Sequence, residues 1–82
     1  MSDLNLLFQE AVAGSKTLAN RPDNTTMLTL YSLYKQATEG DAPEDAPGDM
    51  MGMFKHKSWA QTRGMGKDVA MQSYIDLVES LK

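Results

Sequence analysis

Apolar residues recur every three or four positions along most of this chain, and breaks at Pro22, at 40–48 and at 64–66 cut the pattern into helix-length pieces. No stretch alternates apolar and polar residues as a strand does, so the spacing predicts an all-α fold. In the first piece Leu4, Leu7, Phe8, Ala11, Val12 and Leu18 share a face with Ser15, while Asn5, Gln9, Glu10 and Lys16 lie outside it. Asn20-Arg21-Pro22 interrupts that piece, because proline lacks an amide donor and drives the preceding residue out of helical geometry. Asp23 or Asn24 caps a second helix through Met27, Leu28, Leu30, Tyr31, Leu33, Tyr34 and Ala37. It should stop near Glu39, with Gly40 as its left-handed exit. The acidic segment from Gly40 to Gly48, with two prolines and no period, is expected to be a surface connection. Met50, Met51, Met53, Phe54 and Trp59 are poorly spaced and Gly52 weakens a helix through them, so a short third helix is expected around Lys57 to Arg63. Val69, Ala70, Met71, Tyr74, Ile75, Leu77, Val78 and Leu81 trace a fourth that runs to the terminus. The expected architecture is a four-helix bundle with a long connection between its second and third helices.

Eighty-two residues suffice for one domain, 1–82, which buries only about 60% of the surface its unfolded chain exposes. The absence of cysteine excludes a disulfide staple, a thiolate nucleophile and a zinc-thiolate cluster, so apolar packing or a ligand must hold the fold. No apolar run approaches the roughly 20 residues of a membrane helix. Met1-Ser2-Asp3-Leu4 also lacks the basic start of a secretory signal, so a cytoplasmic protein without stable membrane insertion is expected. Eight Lys plus Arg against eleven Asp plus Glu leave a net charge of −3, which argues against a general nucleic-acid binder. A local basic pocket remains open.

Catalytic chemistry finds few candidates. The one histidine, His56, cannot build a multi-histidine metal site, and no carboxylate cluster at ligand spacing compensates. A serine hydrolase needs a base beside its nucleophile, and no Gly-x-Ser-x-Gly elbow exists. No glycine-rich phosphate loop of the P-loop or dinucleotide type is present. No catalytic or metal-ligating residue is therefore named, and a small helical enzyme ranks below a binding protein.

The second helix is the most informative part. At about 100° per residue Leu28, Tyr31 and Lys35 fall on one line, and Met27, Tyr31 and Tyr34 on the next. A lone lysine beside an apolar arc most often lays its methylenes over the neighbouring ring and keeps its ammonium in water. Tyrosines on such a face are usually core residues whose hydroxyls reach solvent. Lys16 and the Lys55-His56-Lys57 cluster add further cations. Aromatic faces, apolar lining and converging ammonium groups suit a ligand that is greasy at one end and phosphorylated at the other. A helical interaction module that docks a protein along Met50 to Trp59 is the other reading.

The run from Leu30 to Asp41, Leu-Tyr-Ser-Leu-Tyr-Lys-Gln-Ala-Thr-Glu-Gly-Asp, resembles the signature of the acyl-CoA-binding protein family, particularly its short, single-domain bacterial members. Arg21-Pro22-Asp23-Asn24, Pro47-Gly48 and the segment from Ala70 to Glu79 are similar to the family in the same order, so the resemblance spans nearly the whole chain. It implies an up-down-down-up bundle that sequesters medium- to long-chain fatty acyl-CoA esters and delivers them, without transforming them, to enzymes and membranes. It further implies a monomer with no cofactor, whose contacts with acyl-CoA-using enzymes are transient.

By this resemblance Tyr31, Tyr34 and Lys35 fall on residues that hold the adenine and 3′-phosphate of the CoA head, and Tyr74 on a tyrosine that closes the site. Met27 and Leu28 match the acyl groove, Ala11 and Val12 its floor, and Lys16 a basic residue near the head group. The chain looks two residues short after Pro47-Gly48. With that gap Lys55 falls on a second phosphate-binding lysine, with Lys57 as the alternative, and Trp59 on the later of two family tryptophans. The earlier one is His56 here, and a position that is often basic is Met51. Met65-Gly66 stands where the fourth helix usually has a Ser or Thr cap.

Overall fold

The computed structural model describes residues 3–45 and 48–82. Met1 and Ser2, and the Pro47 of the Pro47-Gly48 pair, lie outside the described residues. The chain forms α1 (Leu4–Ser15), α2 (Asn24–Glu39), α3 (Met50–Ala60) and α4 (Lys67–Ser80), with no strand among the described residues.

α2 starts and stops where its sequence says. Asp23 has extended geometry and its carboxylate accepts the Thr26 amide at 2.8 Å, which satisfies one of the free donors of the first turn. At the other end Gly40 takes φ 88°, a conformation closed to side chains with a Cβ. α1 ends earlier than the expected run to Leu18. Its last turn carries Gly14 and Ser15, and hydroxyls compete for the terminal carbonyls: Ser15 Oγ donates to Val12 O at 2.7 Å and Thr17 Oγ1 to Gly14 O at 3.1 Å.

The third helix corrects the expectation. It begins at Met50 rather than near Lys57 and closes at Ala60 rather than Arg63. The Asp49 carboxylate caps it by accepting the Gly52 amide at 3.0 Å, so Gly52 sits in the first turn, where its amide needs an external partner. Methionine is a good helix former, and an exposed helix needs no apolar periodicity. Met50, Met51, Met53 and Phe54 all face solvent, and only Trp59 of this helix is buried. Gly64, at φ 89°, turns the chain toward α4.

Phe8 and Ala11 of α1, Leu30, Leu33 and Ala37 of α2, and Ala70, Tyr74 and Val78 of α4 form the core. Alanines at positions 11, 37 and 70 let backbones approach. α4 packs on both α1 and α2, and α3 packs on α2. No Cα of α1 comes within 8 Å of one in α2, so those two helices stand apart and a cleft opens between them. Phe8 meets Tyr34 while Lys16 shares a cavity with Met27, which makes α1 and α2 antiparallel. Met71 lies with Asn5 and Phe8 around one hollow and the Tyr74 hydroxyl reaches Ser15, so α4 runs with α1. Lys55 lies against Tyr31 and Lys35 against Trp59, so α3 runs with α2, giving an up-down-down-up order.

The connection after α2 is more firmly tied than a surface loop. Ala42 is buried, Trp59 Nε1 donates to Gly40 O at 2.7 Å, Arg63 Nη2 donates to Ala42 O at 2.8 Å, and His56 Nε2 donates to Pro43 O. Gln36, 1% exposed, donates from Nε2 to Asp41 Oδ1 and to Met65 O, both at 2.9 Å, and accepts the Thr62 hydroxyl at 3.0 Å. This one side chain joins α2 to both turns that flank α3.

Candidate functional site: the cleft between the first two helices

A cavity of about 500 Å³ fills the gap between α1 and α2. Val12, Ser15 and Lys16 line one side, Met27, Leu30, Tyr31 and Tyr34 the other, Pro22 one end, and Tyr74 reaches in from α4. The lining of α2 follows from its register, since positions 27, 31 and 34 are four and three residues apart and project from one stripe. A second hollow, of about 660 Å³, shares Val12, Lys16 and Tyr34 with the first and continues toward Lys67 and Met71. Tyr34 thus stands as a wall between the two.

Three rings organise the floor. Phe8 stacks on Tyr34 with centroids 6.0 Å apart and meets Tyr74 edge-on at 5.2 Å, while Tyr34 and Tyr74 are tilted at 6.5 Å. Tyr74, 4% exposed, would cost stability if its hydroxyl were unpaired, and it donates to Ser15 Oγ at 3.2 Å. Pro22 at one end and the three rings beneath together shape the cleft.

The cations stand at its margin. Lys16 lines both hollows. Lys55 Nζ lies 5.5 Å from the centroid of the Tyr31 ring, on the side of that tyrosine that faces α3. Lys35 Nζ lies 5.0 Å from the centroid of Trp59 and donates to the Glu39 carboxylate. The hydrogen bond to Glu39 raises the Lys35 pKa above the ordinary lysine value, against the opposing effect of burial. Among the described residues neither Lys16 nor Lys55 makes an ion pair.

Of the residues singled out from the sequence, Lys16, Met27, Tyr31, Tyr34 and Tyr74 line the cavity, and Val12 with them. Leu28, Lys35 and Lys55 do not line it, and Ala11 belongs to the core. Leu28 is half-buried one position round the helix from Met27, and both lysines reach ring faces at the α3 side. Lys57 is exposed. Phe8, Ser15, Leu30 and Pro22 were not named as site residues, yet they build the cleft. Phe8, Val12 and Ser15 share one row at spacings of four and three, which was the available signal for two of them. The assignment of Pro22 needs the tertiary fold.

Such a cleft offers apolar area, faces on which a planar ring can lie, and ammonium groups for an anion. His56 is tied to the Pro43 carbonyl and does not line either hollow, so no base faces the cleft from α3. Among the described residues no three His, Cys, Asp or Glu side chains gather as metal ligands.

The chain is similar to known proteins over most of its length. The family model described as Acyl CoA binding protein matches residues 5–78. Acyl-CoA-binding protein homolog 1 of Caenorhabditis elegans is 42% identical over 80 residues, covering 95% of this chain and 93% of the relative. The acyl-CoA-binding protein of Saccharomyces cerevisiae is 36% identical over 77 residues, covering 92% of this chain and 88% of the relative. The crystal structure of Oryza sativa Acyl-CoA-Binding Protein 2 superposes with a TM-score of 0.90 at 36% identity, over 95% of this chain and 89% of that one. A match across most of the chain in both sequence and fold places this protein in the acyl-CoA-binding protein family.

Proposed function

We infer that this chain binds medium- to long-chain fatty acyl-CoA esters and buffers or carries them without chemical change. The observation that carries this reading is an apolar cleft of about 500 Å³, walled by Tyr31, Tyr34 and Tyr74 and flanked by lysines, in a chain of this family. Burial of hydrocarbon contributes about 0.8 kcal/mol per methylene, so a tail of some 14 to 16 carbons offers roughly 10 kcal/mol before ordering costs. Burial alone would not distinguish an ester from a free fatty acid. Selection falls to the polar end, where a tyrosine ring takes the adenine, and Lys16, Lys35 and Lys55 make charge-assisted hydrogen bonds to phosphate. Met27 and Leu28 flank the tail in this reading, and Tyr74 closes the site. The protein acts as a cytoplasmic monomer that meets acyl-CoA-using enzymes transiently. No helix of the described residues is long and apolar enough to cross a membrane.

The docking-module reading is not favoured. Trp59 is buried against the connection after α2, and Met50, Met51, Met53 and Phe54 line neither hollow.

Calorimetric titration with palmitoyl-CoA, free CoA and palmitate at fixed salt tests the proposal. The ester should bind far more tightly than either half, and comparable weak heats for all three would end it. Lys35→Ala should weaken ester binding roughly ten- to hundredfold, as expected for a lost hydrogen bond between charged groups, with helicity by circular dichroism unchanged. Loss of helicity would instead mark Lys35 as structural.

A further inference from the structure

Lys35 carries its own anion. Its ammonium is held by Glu39, one helical turn further along α2, while its neighbours in charge, Lys16 and Lys55, make no ion pair among the described residues. The lysine side chain is 22% exposed and the glutamate 54% exposed, so the carboxylate sits at the solvent edge of a partly sheltered cation. The Trp59 ring braces the ammonium from α3, in a position that lines neither hollow. A phosphate bound by Lys35 must share the ammonium with Glu39 or displace it.

We propose that Glu39 is a built-in competitor for Lys35, which weakens binding of phosphate-bearing ligands and sets how strongly the site prefers them over ligands that lack the phosphate. The proposal rests on the reading of Lys35 as a phosphate ligand. Glu39 acts twice in the bound state. Its own contact with the ammonium must be given up or shared, and its charge remains one turn away from a group carrying about −1.5 to −2. Because the two residues sit four apart on one helix, the Glu39 backbone stays one turn from Lys35 when the lysine turns toward the cleft. A surface pair of this kind is modest in strength, so the competition tunes affinity and does not block it. Its electrostatic origin also makes it sensitive to salt.

The test compares wild type and Glu39→Gln with palmitoyl-CoA and with 3′-dephospho-palmitoyl-CoA, by calorimetry at low and high ionic strength. Glu39→Gln should tighten palmitoyl-CoA binding by roughly threefold at low salt, the size expected for one exposed ion pair. It should leave the dephospho ester within experimental error, and the gain should shrink at high salt. In a Lys35→Met background the same substitution should give a smaller gain, because only the repulsion between Glu39 and the phosphate is left to relieve. Equal tightening for both esters, or no change in their ratio, would overturn the proposal, and weaker binding of palmitoyl-CoA would make Glu39 a positioning residue. If wild type itself fails to distinguish the two esters, the phosphate role of Lys35 fails and this inference falls with it. A preserved wild-type preference that Glu39→Gln leaves unaltered removes the inference alone.

Discussion

Gln36 lies within the signature run of α2 and points into the protein. It is 1% exposed, and its amide meets a carboxylate, a backbone carbonyl and a hydroxyl from the two turns that flank α3. Leucine would fit the apolar pattern of the helix better, yet Gln36→Leu would take the amide donor from Met65 O and from the Asp41 carboxylate, while the Thr62 hydroxyl keeps Trp59 O. We expect a loss of about 2–3 kcal/mol, measured by urea denaturation with an unchanged slope. A loss below half a kcal/mol would mean that water replaces the amide. Spacing alone put Tyr31, Tyr34 and Met27 on one face of the helix, because a helix fixes their direction, and the family resemblance implied that this face holds the ligand. The sequence did not reveal where Lys35 points. That depends on Glu39 within the helix and on Trp59 from another, and four rotatable bonds leave the choice to the surroundings.

Helix ends show the same division. A cap at Asp23 or Asn24 was legible because the pair follows Pro22 and precedes an apolar arc, and the structure settles it on Asp23, whose carboxylate accepts the Thr26 amide. The α3 boundaries were not legible, since a helix that buries only Trp59 carries no apolar period to read. α4 starts without a side-chain cap: Gly66 has φ −65° and ψ 151°, open to any residue, and a Cβ there meets nothing within 4 Å. Gly66→Ser should therefore stabilise the protein by roughly 0.5–1 kcal/mol, from a new cap and a stiffer unfolded chain. In a domain of this size that corresponds to a rise in Tm of about 4–8 °C per kcal/mol. An unchanged or lower Tm in a thermal scan would show that the serine hydroxyl does not reach the free amides of the first turn.

Seen as a whole, the molecule is a slab of 35 × 32 × 15 Å held at one end by the turns around α3. Asp41 ties that end together, accepting the Gly64 amide and the Gln36 side chain, both at 2.9 Å. These bonds, the Gly64 amide first, hold its carboxyl below the ordinary value of 3.8. A depressed carboxyl binds its proton less readily folded than unfolded. Its contribution is therefore present above the ordinary value and is lost as pH falls through the folded one. Asp41→Asn should be less stable than wild type near neutrality, and the gap should narrow as pH is lowered past the ordinary value of 3.8 and through the folded one. A gap of constant size across that range, in urea titrations at each pH, would show that the carboxylate charge is not its source. The sequence by itself determined four helices, the boundaries of three of them within a few residues, and the α2 stripe of Met27, Tyr31 and Tyr34, because helical periodicity and caps are local. Only the tertiary structure decided that α1 and α2 stand apart, that Pro22 and Tyr74 complete one cavity, and that Lys35 rests on Glu39. Those outcomes follow from α4 packing against both helices and from α3 supplying Trp59, contacts between residues remote in sequence that no spacing records.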